Sequence, residues 1–230
     1  MKFGGLQKLT LLDYPDKVAS TVFTVGCNFR CPFCHNNSLV CGHGVEKTEF
    51  SEQEVLKFLQ KRRNLLEGVC LTGGEPLIQP HVEDFLQQVR NMGYKIKLDT
   101  NGSFPEKLAL LIQKGLVDYV AMDVKNSQEQ YAKTVGCALD VSSIEQSVQL
   151  LKSGVVDYEF RTTVTATFHT EDSIRNMAKW LQGAKRLYLQ QFVDSGDLID
   201  ETVTGVDEAT LKRYCEIARE FVPNTFVRGV

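Results

Sequence analysis

The sequence lacks any long hydrophobic run. None of its apolar stretches approaches the roughly 18 residues that a membrane-spanning helix needs. The N-terminal stretch MKFGGLQKLTLLDYP also lacks the apolar core of a signal peptide, because Gly, Gln, Lys and Asp interrupt it. We therefore expect a cytoplasmic protein with no membrane partner.

The sequence also lacks an excess of basic charge. It has 26 Lys and Arg residues against 29 Asp and Glu residues, which gives a net charge of −3 at pH 7. A nucleic-acid-binding protein usually carries a basic surface. We therefore expect no nucleic-acid partner.

The cysteines do not form the even set that a disulfide framework requires, since there are seven of them in 230 residues. A chain of this length, 43% hydrophobic, can bury a sizeable core without covalent cross-links. In a reducing compartment such thiols bind metals, take part in catalysis or lie buried.

Segments with the pattern of strands alternate with segments with the pattern of helices along the whole chain. The predicted strands are residues 18–26, 68–73, 94–100, 117–125, 157–166 and 186–193. The predicted helices are residues 51–66, 81–93, 105–115, 143–153, 171–183 and 207–222. This alternation predicts an α/β fold with a parallel sheet, either doubly wound or an open, partial barrel.

Chemically active residues follow the predicted strands at their carboxyl ends. The relevant stretches are the cysteines of GCNFRCPFCHN (26–36), TGGEP (72–76), DTNG (99–102) and MDVK (122–125). Arg161 lies within the fifth predicted strand. A parallel-sheet enzyme builds its site at this end of the strands.

Cys27, Cys31 and Cys34 form a C-x₃-C-x₂-C motif with one thiol fewer than a closed metal site usually has. One interpretation is structural zinc, with His35 or Cys41 as the fourth ligand. The other is an iron–sulfur cubane in which three thiolates leave one iron open to a ligand that is not protein.

The remaining motifs each permit a simple and a functional interpretation. Gly73 and Gly74 allow a close backbone approach, or they form only a turn. Glu75 adds a carboxylate that can accept a hydrogen bond from an ammonium group. The DTNG stretch favours a tight turn, and its polar groups can also hold sugar hydroxyls or a cation. Asp123 and Lys125 share a strand face and can form an ion pair.

In combination these motifs resemble the radical S-adenosylmethionine superfamily. The stretch LTLLDYPDKVASTVFTVGCNFRCPFCHN, followed by LTGGEP, LDTNGS and VDYVAMDVK, is similar to the anaerobic ribonucleoside-triphosphate reductase activating proteins, a group of glycyl-radical-enzyme activases. The resemblance implies a partial (β/α)₆ TIM-like barrel. It also implies one radical SAM domain over residues 1–230, with a core at about 18–193 and a C-terminal helix and tail at about 207–230.

The resemblance also implies roles for individual residues. Cys27, Cys31 and Cys34 would hold a [4Fe–4S] cluster whose fourth iron binds S-adenosylmethionine. Phe33 would lie against the adenine, and Gly73, Gly74 and Glu75 would bind the methionyl ammonium. The further residues expected at the cofactor are Asp99, Thr100, Asn101, Asp123, Lys125 and Arg161. Asp99 and Asp123 match carboxylates that hold a monovalent cation. Lys125 would reach a cofactor carboxylate, whereas Arg161 contacts the cofactor or pairs with Asp157 or Glu159.

The implied reaction is reductive cleavage of S-adenosylmethionine to a 5′-deoxyadenosyl radical, which generates a glycyl radical on an anaerobic (class III) ribonucleoside-triphosphate reductase. Flavodoxin is the electron donor that the resemblance suggests. The alternatives are an activase of another glycyl-radical enzyme such as pyruvate formate-lyase, and a small-molecule or peptide-modifying radical enzyme such as a carboxy-deazaguanine synthase. A non-catalytic zinc- or cluster-binding protein is the alternative outside the superfamily.

Four cysteines, one histidine and two glutamines are predicted to lie outside the functional site. Cys70, Cys137 and Cys215 are expected as small buried fillers, and Cys41 has no assigned role. His169 is expected as a loop histidine, and Gln190 and Gln191 are left outside the site.

Overall fold

The computed structural model describes residues 1–40, 50–194 and 196–230. Its strands are β1 (Lys2–Thr10), β2 (Ala19–Thr24), β3 (Phe50–Ser51), β4 (Gly68–Gly73), β5 (Lys95–Thr100), β6 (Tyr119–Asp123), β7 (Asp157–Val164), β8 (Leu187–Gln191) and β9 (Thr225–Arg228). Its α-helices are α1 (Asn37–Val40), α2 (Glu52–Arg62), α3 (Val82–Asn91), α4 (Pro105–Gln113), α5 (Tyr131–Val135), α6 (Val141–Lys152), α7 (Glu171–Trp180) and α8 (Glu208–Arg219). Short 3₁₀ turns cover Pro76–Ile78 and Gln128–Gln130.

The six predicted strands are present as β2 and β4 to β8, and the six predicted helices as α2, α3, α4, α6, α7 and α8. Helix α2 begins directly after Ser51, the N-cap residue, which forms a reciprocal capping box with Glu54. Strand β1 was not predicted, because Gly4 and Gly5 interrupt its alternation of polar and apolar residues. Strand β9 was also missed, since it is only four residues long.

The described chain divides into two compact units. The first comprises Met1–Asn28, Ser38–Thr100 and Phe104–Ala121, and the second comprises Phe29–Asn37, Asn101–Ser103 and Met122–Val230. Strand β6 contributes Tyr119–Ala121 to the first unit and its last residues to the second. The expectation of one domain over residues 1–230 stays a prediction.

In the first unit the strand order is β3-β1-β2-β4-β5-β6. Strand β1 runs antiparallel to both β2 and β3, whereas β2, β4 and β5 are parallel to one another. Successive residues of these strands point to opposite faces of the sheet. One face is apolar and carries fully buried side chains, which are Val22, Val69, Leu71, Ile96 and Leu98.

The opposite face of the same strands is polar. The pairing of Thr21 with Cys70, and of Cys70 with Lys97, aligns one row of side chains across β2, β4 and β5. Thr72 and Asp99 lie two residues further along β4 and β5, on the same face. This face therefore offers functional groups, while the apolar face holds the core.

The second unit contains the parallel strands β7, β8 and β9 in that order. Helices α7 and α8 contact each other, and α8 also packs on β8 and β9. On the other sheet face Arg228 Nη1 lies 3.1 Å from Oε1 of buried Glu159. The Arg228 guanidinium also lies 3.8 Å from the centre of the Tyr188 ring. The strands thus again separate an apolar helix-covered face from a polar one.

Among the helices in the described ranges, none has the length and apolar character to cross a lipid bilayer.

The apolar face of the first unit should dominate its stability. Leu71 is 0% exposed, so we expect Leu71→Ala to lower the free energy of unfolding by about 2–5 kcal/mol through lost burial and a residual cavity. Leu12 is 91% exposed, so the matched control Leu12→Ala should change it by less than about 0.5 kcal/mol. Urea unfolding followed by circular dichroism measures both, and equal effects would contradict the assignment of this face as core.

Candidate functional site

The three motif cysteines are thiols on the segment that follows β2. Cys27 belongs to the first unit, and Cys31 and Cys34 belong to the second. The Cys34 amide donates to the Cys31 carbonyl at 2.9 Å, which closes a turn between these two residues. Cys31 is buried, and the other two cysteines are partly exposed.

Within residues 1–40, 50–194 and 196–230, no group of three or more His, Cys, Asp or Glu side chains is arranged to hold a single metal ion. The ligands of a cubane bind separate irons, so a cluster sets a different requirement from one ion. The assignment of the cysteines to a cluster therefore rests on their spacing and on their chemistry as an all-thiolate donor set.

Gly73 and Gly74 allow two backbone segments of the first unit to meet closely. The Gly74 amide donates to the Thr24 carbonyl at 2.9 Å, and the Glu75 amide donates to the Gly26 carbonyl at 2.8 Å. A Cβ on Gly74 would lie 1.9 Å from the Gly26 oxygen, and Gly73 has a φ of +109°. The glycines are thus required by the approach of this turn to the chain that leads into Cys27, whatever ligand it also meets.

Glu75 is fully buried and its carboxylate organises the same turn. Its Oε1 accepts hydrogen bonds from the Leu77 amide at 3.0 Å and from the Thr100 hydroxyl at 2.9 Å. These bonds fix the carboxyl group of Glu75 at the carboxyl ends of β4 and β5. A carboxylate held in this way is suited to accept a hydrogen bond from an ammonium group.

Asp99 lies in a polar cluster on the polar face of the first unit. Its Oδ1 pairs with the ammonium of Lys97, and its Oδ2 accepts from the Thr72 hydroxyl at 3.2 Å. The Cys70 thiol lies 3.7 Å from Asp99 Oδ1 and 3.8 Å from Lys97 Nζ. Cys70 is buried as predicted, but it contacts charged groups instead of filling an apolar space.

Asn101 organises the loop after β5. Its Oδ1 accepts from the amide of Ser103 at 2.9 Å and from the hydroxyl of Ser103 at 2.6 Å. The predicted tight turn in DTNG is therefore present, built by the side chain of Asn101.

In the second unit, Asp123 lies between two cations. Its Oδ2 is 3.0 Å from Lys125 Nζ, and its Oδ1 is 2.8 Å from Arg161 Nε. Burial alone would raise the pKa of the Asp123 carboxyl, but Arg161 and then Lys125 outweigh it and hold that pKa well below its usual range. The predicted pairing of Asp123 with Lys125 is confirmed.

The two alternative partners of Arg161 are engaged elsewhere. Asp157 pairs with Lys185 and Arg186, and Glu159 pairs with Arg228. Arg161 itself contacts Asp123 of β6, a partner that the sequence analysis did not name, and its contact with the cofactor stays a prediction.

The turn from Cys31 to His35 lies within electrostatic range of this charged group. Burial favours the neutral amine of Lys125, but the Asp123 carboxylate and, next, Cys31 reverse the effect and raise the pKa of Lys125. Burial and then the charge of Lys125 lower the pKa of His35. The second unit thus places Cys31 of the motif within electrostatic range of Lys125, a residue predicted for the site from a different part of the sequence.

Phe33 is 4% exposed, and its ring centre lies 5.9 Å from that of Phe168. The Phe33 ring, which belongs to the turn from Cys31 to His35, is therefore held in place by aromatic packing within the second unit.

His169 lies in the loop between β7 and α7, as predicted, and it is buried there. Its Nδ1 accepts from the Thr165 amide at 3.1 Å, so the neutral ring carries its proton on Nε2. That Nε2 donates to the carbonyl of Lys125 at 2.9 Å. His169 therefore positions the backbone of Lys125, a role that its isolated place in the sequence did not reveal.

The structure also gives the positions and contacts of the remaining residues that were not predicted for the site. Gln190 pairs with Thr163 and shares the sheet face of Arg161, whereas Gln191 lies on the opposite face and donates to the Val206 carbonyl at 2.7 Å. Cys215 is buried as predicted, beside the Thr225 carbonyl, whereas the expectation that Cys137 is a buried filler is wrong, because that residue is partly exposed. Cys41 lies outside the described residues.

Comparison with known proteins identifies the class to which this site belongs. The model of the radical SAM superfamily matches residues 21–181, a range that includes the three motif cysteines and every other residue predicted for the site. The chain belongs to the radical SAM superfamily and is therefore an enzyme of that superfamily.

A comparison over almost the whole chain assigns it to a narrower group within this superfamily. A provisionally named glycyl-radical enzyme activating enzyme of Methanocaldococcus jannaschii is 30% identical over 98% of this chain and 95% of its own length. Within the superfamily, this chain therefore belongs with the glycyl-radical-enzyme activating enzymes.

Two further comparisons concern the fold of the chain and the alternative that it is a small-molecule radical enzyme. A domain of pyruvate-formate lyase-activating enzyme from Bacteroides vulgatus is 16% identical, with a TM-score of 0.58, over 70% of this chain and 99% of that domain. This similarity confirms the predicted fold class, an α/β fold of the partial TIM-like barrel type. A 7-carboxy-7-deazaguanine synthase of Methanopyrus kandleri is 30% identical over 44% of this chain and 46% of its own length.

The buried His169 should make stability depend on pH. Burial lowers its pKa from an ordinary 6.5 to about 4, so the unfolded chain binds a proton between these values that the folded chain does not. Its contribution is complete above pH 6.5 and is lost as the pH falls toward 4, by about 3 kcal/mol in total.

His169→Gln should therefore lose less stability than the wild type between pH 6.5 and 4, measured by urea unfolding at several pH values. His81→Gln is the matched control, because 75% of the His81 side chain is exposed. A wild-type pH dependence in His169→Gln would show that His169 is not buried in its neutral form.

Proposed function

We propose that this chain is the activase of an anaerobic ribonucleoside-triphosphate reductase, on which it generates a glycyl radical. The observation that carries the proposal is the match to a glycyl-radical enzyme activating enzyme over almost the full length of both chains. The choice of the reductase over another glycyl-radical enzyme rests on the stretches LTLLDYPDKVASTVFTVGCNFRCPFCHN, LTGGEP, LDTNGS and VDYVAMDVK.

In this proposal Cys27, Cys31 and Cys34 hold a [4Fe–4S] cluster. Three thiolates from the protein leave one iron for the amino and carboxylate groups of S-adenosylmethionine. The electrostatic proximity of Lys125 to Cys31 supports this assignment, because a neighbouring cation favours the thiolate that binds a metal.

The residues assigned to S-adenosylmethionine have complementary charges. In the first unit, the buried carboxylate of Glu75 accepts hydrogen bonds and suits the methionyl ammonium, while Gly73 and Gly74 keep that turn in place. In the second unit, Lys125 and Arg161 together exceed the charge of Asp123 by one, which suits a carboxylate of the cofactor. Phe33 supplies the aromatic side chain for the adenine, and Thr100 and Asn101 shape the loop after β5.

With both groups bound, one electron from the reduced cluster would break the sulfur–C5′ bond of S-adenosylmethionine, giving methionine and a 5′-deoxyadenosyl radical. That radical would take a hydrogen atom from the glycine, leaving 5′-deoxyadenosine and a glycyl radical. The chain's residues have to orient the sulfonium and exclude water and other hydrogen donors. A glycine is accessible to such a radical because no side chain covers its α-carbon. Flavodoxin is the proposed electron donor, and the proposed location is the cytoplasm.

Anaerobic reconstitution tests the cluster assignment. The wild type should bind about four iron atoms per chain and convert S-adenosylmethionine to 5′-deoxyadenosine and methionine when reduced. Cys31→Ser should lose most of this iron and the turnover, because it removes one thiolate of the proposed set. Cys137→Ser is the matched control and should behave as the wild type, since Cys137 lies outside the motif.

Iron retained at the wild-type level in Cys31→Ser would contradict the ligand assignment. Stoichiometric zinc in place of iron would support the alternative of a zinc protein.

Electron paramagnetic resonance tests the partner. The reduced holoenzyme with S-adenosylmethionine should produce a glycyl-radical doublet on an anaerobic ribonucleoside-triphosphate reductase, and none when S-adenosylmethionine is omitted. A doublet on pyruvate formate-lyase alone would replace the partner in this proposal. Cofactor cleavage with no doublet on either protein would favour a small-molecule enzyme of the kind that the deazaguanine synthase match suggests.

A further inference from the structure

Lys97 is a charged residue in an almost fully buried position. Only 2% of its side chain is exposed, although it lies in the middle of β5. It pairs in register with Cys70 of β4, so its side chain lies on the polar face of the first unit, toward Asp99. An ammonium group in such a place is stable only if a compensating charge accompanies it.

Asp99 provides that compensating charge, and both of its oxygens are engaged. The Lys97 ammonium pairs with Oδ1, which also lies 3.7 Å from the Cys70 thiol, and the Thr72 hydroxyl donates to Oδ2 at 3.2 Å. The Lys97–Asp99 pair therefore balances one positive charge with one negative charge.

This arrangement does not fit the monovalent cation that the resemblance places at Asp99. An ammonium group is close to K⁺ in size and carries the same charge. A second cation at Oδ1 would have to displace Lys97 or tolerate its repulsion. Lys97 is attached to the same strand as Asp99, so its effective concentration there does not depend on the salt in solution.

The second carboxylate expected at the cation is also compensated within its own unit. Asp123 contacts Lys125 and Arg161, two cations of the chain. Each of the two carboxylates thus has a cationic partner supplied by the protein.

We propose that the Lys97 ammonium is a built-in substitute for the monovalent cation at Asp99, so that this protein requires no free Na⁺ or K⁺ at that position. Removal of the ammonium should convert Asp99 into a site that depends on a free cation. The proposal concerns the charge balance of the first unit and holds whichever glycyl-radical enzyme is the partner.

The test compares thermal unfolding of the full chain in KCl, NaCl and choline chloride at one ionic strength. Choline is too large to occupy the position of an ammonium group beside Asp99. The wild type should unfold at the same temperature in all three salts. Lys97→Met, which keeps a side chain of similar length, should lower the midpoint in choline chloride by on the order of 10 °C and recover part of it, saturably, in KCl or NaCl.

Two controls isolate the charge at Asp99. Lys95→Met removes the ammonium of an exposed lysine on the same strand, which pairs with Asp118, and should show no difference between the salts. The double variant Lys97→Met with Asp99→Asn removes both charges, so its midpoint should again be equal in all three salts.

Two results would overturn the proposal. A saturable, cation-specific rise of the wild-type midpoint would show that a free cation binds although Lys97 is present. Equal midpoints of Lys97→Met in the three salts would show that no cation position exists there. A Lys97→Met protein that folds only in KCl or NaCl would support the proposal. If it folds in none of the salts, the wild-type comparison still decides, because that arm does not depend on the variant.

Discussion

Charge compensation on the polar sheet faces is the constraint on which the rest of this structure depends. A buried charge is tolerated only with a partner, and Lys97, Asp99 and Asp123 each have one. Lys97 pairs with Asp99 in the first unit, while Lys125 and Arg161 enclose Asp123 in the second. The two sets differ in sum, because the first is neutral and the second keeps one positive charge.

A second constraint is the contact between backbone segments at the carboxyl ends of β2 and β4. Hydrogen bonds from Gly74 and Glu75 to the chain before Cys27 leave no room for side chains at the two glycines. The same turn carries the buried carboxylate of Glu75. The glycines therefore serve the packing of the protein first, and a turn made rigid in this way can present Glu75 to a ligand without further ordering.

Local sequence patterns predicted those features that depend on neighbours in the chain. The turn made by Asn101 and the pairing of Asp123 with Lys125 both join residues two positions apart. The pairing of Lys97 with Asp99 also spans two positions of a strand, but lysine is rarely buried, so the local pattern does not indicate a buried ion pair there. Strands β1 and β9 were missed because a glycine pair and a four-residue length leave little periodicity.

The sequence by itself determined the α/β alternation, the cysteine motif and the set of polar residues at the strand ends, because spacing along the chain encodes each of them. Only the tertiary structure decided that Arg161 of β7 meets Asp123 of β6. It also decided that the ring of His169 holds the carbonyl of Lys125. Both contacts join distant parts of the chain, and the register of parallel strands and the burial of their loops bring these residues together.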